Sequence, residues 1–169
     1  MKKPSSSIEF LDLPRFADDR GSFNKLFNKK LDVLKSFEIR QLNFVDNPIK
    51  GVFRGLHYQD HEFAESKIFC VLKGSIELVA FCFEKEHADF RKTFSFRLAN
   101  GSSILVPRGF ATGYLVLEDH SQVLYMSDKD YTPSAERGIS WKDPILQLKF
   151  SDELVTSEKD KNWNPFEVS

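Results

Sequence analysis

Short apolar segments separated by turn residues are what most limits the fold of this chain. They include residues 39–44, 67–72, 76–83, 93–98, 103–106, 114–117 and 122–126, each four to eight residues long. A strand rises about 3.3 Å per residue and crosses a small domain in that length; a helix rises about 1.5 Å and falls short. Several segments alternate or are rich in Val, Ile and Phe, and Lys73-Gly74, Asn100-Gly101 and Pro107-Arg108-Gly109 divide them. This pattern predicts an all-β sandwich or barrel. Seventeen Phe against eight Gly agree with it, because aromatic rings pack well on half-buried pleated surfaces. Helical periodicity is weak and supports one short helix over 30–36 and another near the C-terminus. With no repeat or linker, residues 1–169 read as a single domain.

Charge and composition exclude several function classes. A net charge of −1, with 41% hydrophobic and 29% charged residues, gives no broad basic surface for nucleic acid or a membrane. The opening MKKPSSSIEF has two lysines but no apolar stretch behind them, so it does not read as a secretory signal. No apolar run approaches a membrane span. Cys70 and Cys82 both lie in apolar runs and read as buried thiols in a reduced cytoplasm, with a disulfide as the alternative. The expected location is cytoplasmic.

The punctuation between strands carries more information. Gly101, Pro107 and Gly109 form G-x5-P-x-G, and upstream His57 stands before a long loop with Gly74 at a later turn. The two segments resemble the paired motifs of cupins, which build a small jelly-roll barrel. Metal-binding cupins place H-x-H and a Glu in the first motif and a His in the second. Here those positions read His57-Tyr58-Gln59 and Thr112, so two expected ligands are missing and no metal site is expected. His61, Glu62 and Glu65 read as solvated loop residues, and His87 and His120 as solvated side chains.

Val52 to Gln59, VFRGLHYQ, resembles the signature of the dTDP-4-dehydrorhamnose 3,5-epimerase family. The resemblance spans nearly the whole chain. DDRGSFNKLF near the start, Gln41-Leu42-Asn43, Lys67 ten residues after His57, LVPRGFATGY, YMSDKDYTPSAERGISWKDP and the late SEKD all follow in the family's order. It implies a cupin jelly roll with a few short helices. It also implies cofactor-independent epimerisation at C3, C5 or both of a nucleotide-linked 4-keto-6-deoxyhexose, in deoxysugar biosynthesis.

The implied chemistry suits the residues. A proton beside a ketone is acidic because the carbanion delocalises onto oxygen, and neutral imidazole is a base matched to it. The resemblance makes His57 that base, Asp160 its orienting carboxylate, Lys67 the cation on the enolate oxygen and Tyr125 the acid on the opposite face. It places Arg54 on the diphosphate, where a planar guanidinium fits phosphate oxygens, and Tyr131 in the sugar or nucleotide pocket. Gln41, Asn43 and Thr112 complete the expected substrate contacts. The family further implies a homodimer whose N-terminal segments exchange, carrying Arg20, Phe23 and Lys25 to the partner's pocket. Glu136-Arg137-Gly138 reads as a turn and Trp141 as core.

The departures from the family fall in or near the pocket. Thr112 stands for a usual His, Leu78 and Cys82 for two Asp, and Lys25 for a Glu that helps to read thymine. Thymine N3 carries a hydrogen and wants an acceptor, whereas cytosine N3 wants a donor. The candidate nucleotides are therefore dTDP and CDP. The rival functions are a sugar-nucleotide-binding cupin without catalysis and a 3,4-ketoisomerase of the same substrates.

Overall fold

The computed structural model describes residues 8–151 and 153–167. In chain order the strands are β1 Glu9–Phe10, β2 Arg15–Asp18, β3 Gly21–Asn24, β4 Gln41–Asn47, β5 Phe53–Gln59 and β6 Lys67–Lys73. There follow β7 Ser75–Cys82, β8 Thr93–Ala99, β9 Ser103–Val106, β10 Phe110–Val116, β11 Ser121–Ser127 and β12 Glu136–Gly138. One helical turn, α1, spans Glu158–Lys161 and is capped by Ser157, whose hydroxyl accepts the Asp160 N–H.

Two five-stranded antiparallel sheets, ordered β1-β9-β6-β11-β4 and β12-β5-β10-β7-β8, make a sandwich, and β2-β3 form a separate hairpin. The central core lies between the sheets. Phe69, Val71, Ile104, Val106 and Val123 from the first sheet meet Ile76, Leu78, Leu98, Phe110, Tyr114 and Val116 from the second. Leu78 and Cys82 belong to this core. The outer face of the second sheet is covered by Ile139, Trp141 and Leu146, packed on Phe53, Val79 and Phe81. Leu34 and Phe37 cover the outer face of the first, against Ile68, Cys70 and Met126. The all-β expectation and the core position of Trp141 hold.

Several local expectations change. Residues 30–36 form a single 3-10 turn, Asp32–Leu34, in place of a helix. Leu34 and Phe37 are the buried pair, and a spacing of three suits the tighter turn. His57 lies in β5 two residues before its end, and the expected loop follows over residues 60–66. Glu136–Gly138, expected as a turn, is a strand at the edge of the second sheet, pairing with β5. His87 is largely buried, with its ring edge-on to Phe110 at 5.2 Å, so it is not a solvated side chain. Cys70 and Cys82 are both free buried thiols.

Candidate active site

Strand alternation builds the site at one end of the space between the sheets. Lys67, Phe69 and Val71 share the inward face of β6, and Val123, Tyr125 and Ser127 that of β11. In register, Tyr125 lies beside Asn43 and Phe69, while Ser127 lies beside Gln41 and Lys67. The strands run antiparallel, so both inward faces turn polar at the same end, with Lys67 opening β6 and Tyr125 and Ser127 closing β11. On the other sheet, His57 stands between Thr112 of β10 and Gly138 of β12.

The glycine of the R-G-L-H segment has a specific task. Gly55 has φ +122°, and a Cβ there would lie 2.5 Å from Gly113 Cα, so the two strands approach too closely for any side chain. The same residue's N–H donates to Asp160 Oδ2 at 3.2 Å. Asp160 Oδ1 lies 2.6 Å from His57 Nε2. Asp160 is nearly fully buried (5% of its side chain exposed) while the imidazole keeps 31% exposure. Burial alone would raise the Asp160 carboxyl's pKa. The His57 hydrogen bond and charge, with the Gly55 N–H, outweigh burial and hold it below the ordinary carboxylate value. An ionised Asp160 fixes the ring proton on Nε2 and leaves the Nδ1 lone pair free to accept a proton.

Trp163 closes the back of this pair. Its ring is edge-on to His57 at 6.1 Å and occupies the space a side chain on Gly138 would need, 2.2 Å from the ideal Cβ. Opposite the imidazole, Lys67 Nζ pairs with Glu65 Oε1 at 2.8 Å. Burial raises the pKa of the Tyr125 phenol, the Glu65 charge adds to this, and Arg54 opposes it. Gln41, His57, Tyr58, Gln59, Glu65 and Lys67, with Tyr125, Ser127, Tyr131 and Glu136, line one cleft of about 90 Å³. A larger groove of about 1640 Å³ runs past Phe83, Arg108 and Phe166, and neither His57 nor Lys67 lines it.

The other expected contacts divide. Arg54 Nε donates to Asn47 Oδ1 at 3.0 Å beside the cleft. Asn43 accepts from Gln41 Nε2 at 3.0 Å, and its own Nδ2 is buried without a hydrogen-bond partner among the described residues. Tyr131 donates its hydroxyl to Glu136. Thr112 is buried in β10, cross-strand from His57. Arg20, Phe23 and Lys25 are exposed on or beside the β2-β3 hairpin and do not line this cleft.

Sequence reasoning missed Glu65, Gln59, Ser127, Glu136 and Trp163. For two of them a signal existed: Glu65 precedes Lys67 by two residues and Gln59 follows His57 by two, the spacing that shares one face of a strand. Glu65 is a largely sheltered ion-pair partner, not the solvated loop residue expected. Among the described residues, no group of three or more His, Cys, Asp or Glu is placed to hold a metal.

A jelly-roll sandwich with an oriented histidine, a lysine and a half-buried phenol around one cleft has the parts of a proton-transfer enzyme. The dTDP-4-dehydrorhamnose 3,5-epimerase profile matches residues 6–167, and the chain belongs to that family. The Methanothermobacter thermautotrophicus dTDP-4-dehydrorhamnose 3,5-epimerase is 35% identical over 159 residues, covering 89% of this chain and 84% of that protein. The Bacillus anthracis enzyme of that name, solved with TDP and pyrophosphate bound, superposes with a TM-score of 0.90 at 29% identity over 98% of both chains. The Legionella pneumophila enzyme, in complex with dTDP-4-keto-L-rhamnose, gives a TM-score of 0.86 at 28% identity, covering 94% of this chain and 87% of that one. Among the described residues, no helix is long and apolar enough to cross a membrane.

Proposed function

We propose that this isomerase epimerises a dTDP-linked 4-keto-6-deoxyhexose by removing and returning a proton beside the C4 ketone, in deoxysugar biosynthesis. The observation that carries the reading is the buried Asp160 carboxylate 2.6 Å from His57 Nε2, with the ring edge open to the cleft. His57 Nδ1 takes the proton from carbon, and the electron pair of that C–H bond moves into the enolate, whose oxygen is held by Lys67. The Tyr125 O–H delivers a proton to the same carbon from the opposite face. The resulting phenolate and imidazolium return to their starting states by exchange with solvent.

Arg54 is assigned to the diphosphate, and Gln41, Asn43, Thr112 and Tyr131 to the substrate. The cleft of about 90 Å³ is well below the roughly 300 Å³ at which small-molecule sites begin, so one chain supplies room for part of a nucleotide sugar only. This supports a homodimer in which the N-terminal hairpin completes the partner's site with Arg20, Phe23 and Lys25. Phe16 and Phe23 on that hairpin, and Leu42 and Phe44 on the edge strand β4, are exposed apolar side chains that such an assembly would cover. Lys25 at the base-reading position favours a base with an acceptor at N3, so CDP is the second nucleotide to test. The two free thiols support work in the cytoplasm.

Incubation with the dTDP-sugar in D2O, read by NMR, tests the reaction. Label at C3, C5 or both is expected, and label at neither would sink the reading. Calorimetry with dTDP and CDP separates the nucleotides, and light scattering on the eluting protein separates dimer from monomer.

A further inference from the structure

We propose that Glu65 is a positioning residue of this site, clamping Lys67 toward the cleft that Tyr125 also lines. The inference rests on the reaction proposed above and goes beyond it, because no step there needs a carboxylate beside the lysine.

The clamp is built from three directions. Glu65 Oε1 pairs with Lys67 Nζ at 2.8 Å, and Oε2 accepts the Ser127 hydroxyl at 2.6 Å and a longer bond from Gln59 Nε2 at 3.4 Å. Both ionic partners are nearly buried, Lys67 with 12% and Glu65 with 11% of the side chain exposed. An ion pair this sheltered costs desolvation and holds only where hydrogen bonds satisfy the remaining lone pairs, which Ser127 and Gln59 do here. Gln59 is itself fixed, its Oε1 accepting the Thr132 N–H at 2.6 Å. The clamp therefore joins β5, β6, β11 and the segment leading to β12 around the lysine.

Its second effect falls on the acid. The charged and titratable groups around Tyr125 are Lys67 on β6, Glu65 before it, Arg54 and His57 on β5, Tyr114 on β10, Tyr131, and Glu136 on β12. Burial is the largest influence keeping the phenol protonated and Glu65 is the next, ahead of Glu136 and Tyr131, while Arg54 acts against them. Arg54 draws the phenol toward phenolate, which would spoil a proton donor. Glu65 offsets that positive charge and takes one hydrogen bond from the Lys67 ammonium, whose other hydrogens remain for the enolate oxygen.

Glu65→Gln keeps the size and an acceptor and removes the charge; Glu65→Asp keeps the charge and withdraws it by one methylene. The rate is followed between about pH 7 and 11.5 for both variants and the wild type, so that the alkaline limb of a phenol raised above its ordinary value falls inside the range. In E65Q the alkaline limb of kcat/KM is expected to move down by about one pH unit. In E65D kcat is expected to fall while the limb stays near the wild-type position, a split that loss of packing alone would not produce. Limbs that superimpose in all three proteins would overturn the proposal. Titration of 13C-labelled tyrosine in substrate-free protein, with Tyr125 assigned through Y125F, reads the same effect without catalysis. An unshifted Tyr125 titration in E65Q refutes the inference even if the wild type proves to act on another substrate. Loss of deuterium labelling in the wild type refutes the reaction instead.

Discussion

Replacing Asp160 by Asn leaves the outline of the site unchanged and turns one hydrogen-bond acceptor into a donor. Asp160 Oδ2 accepts the Gly55 N–H at 3.2 Å and Oδ1 accepts from His57 Nε2 at 2.6 Å. A backbone N–H can only donate, so the Asn carbonyl must face Gly55 and its NH2 must face the ring. That drives the imidazole proton onto Nδ1, the atom that should receive the substrate proton. The imidazolium formed on proton abstraction also loses its buried counter-charge. Two unit charges about 4 Å apart at an effective dielectric near 20 interact by ~4 kcal/mol. Solvent at the 31% exposed imidazole lowers this to about 3 kcal/mol, on the order of a hundredfold in kcat. The wrong tautomer adds to that loss, so a fall of about 10²–10⁴ is expected. Asp160 is buried behind the ring, so KM should change little. The assay is the initial rate of deuterium incorporation by NMR, with a melting curve to show that the variant folds. A folded D160N with more than about a tenth of the wild-type rate would refute this account of the dyad.

Further outcomes follow from the same geometry. Tyr125→Phe removes the acid but not the base, so deuterium exchange with retention should persist while inverted product falls by roughly a hundredfold, measured by NMR of the sugar. Gly138→Ala sets a methyl group 2.2 Å from the Trp163 ring. The overpacking should cost about 1–3 kcal/mol, seen as a Tm lower by roughly 2–4 °C for each, with activity reduced as the indole shifts from the dyad. The folded Asp160 carboxyl titrates below its unfolded value of about 3.9, so its contribution to stability is complete above that pH and is lost as pH falls through the folded value. The Tm difference between wild type and D160N should therefore narrow below about pH 4; a constant gap down to pH 2.5 would contradict the assignment.

The central strands were legible because their inward residues repeat at period two with no interruption, as in β7, whose eight residues include the core members Ile76, Leu78, Ala80 and Cys82. β5 was not, because Arg54 and Gly55 break the apolar run for reasons that lie elsewhere in the chain: Gly113 crosses at Gly55, and Asp160 needs its N–H. β12 is hidden because Glu136-Arg137-Gly138 has turn composition; its glycine instead makes room for Trp163. Within the site, the His57–Asp160 pair followed from motif order over 103 residues of separation and is found within hydrogen-bonding distance. Glu65 carries no such signal in the sequence, because a lone acidic residue between turn-like segments is usually solvated. Its burial is imposed by Ser127 and Gln59, which reach it from β11 and β5.

The most direct test of the proton-transfer account is the pair of wild type and His57→Asn, each given a dTDP-linked 4-keto-6-deoxyhexose in D2O. Calorimetry should show both proteins binding the nucleotide sugar within a few-fold of each other. The wild type should carry deuterium to C3, C5 or both, and H57N should carry it to neither. Label appearing at undiminished rate with H57N would contradict His57 as the base.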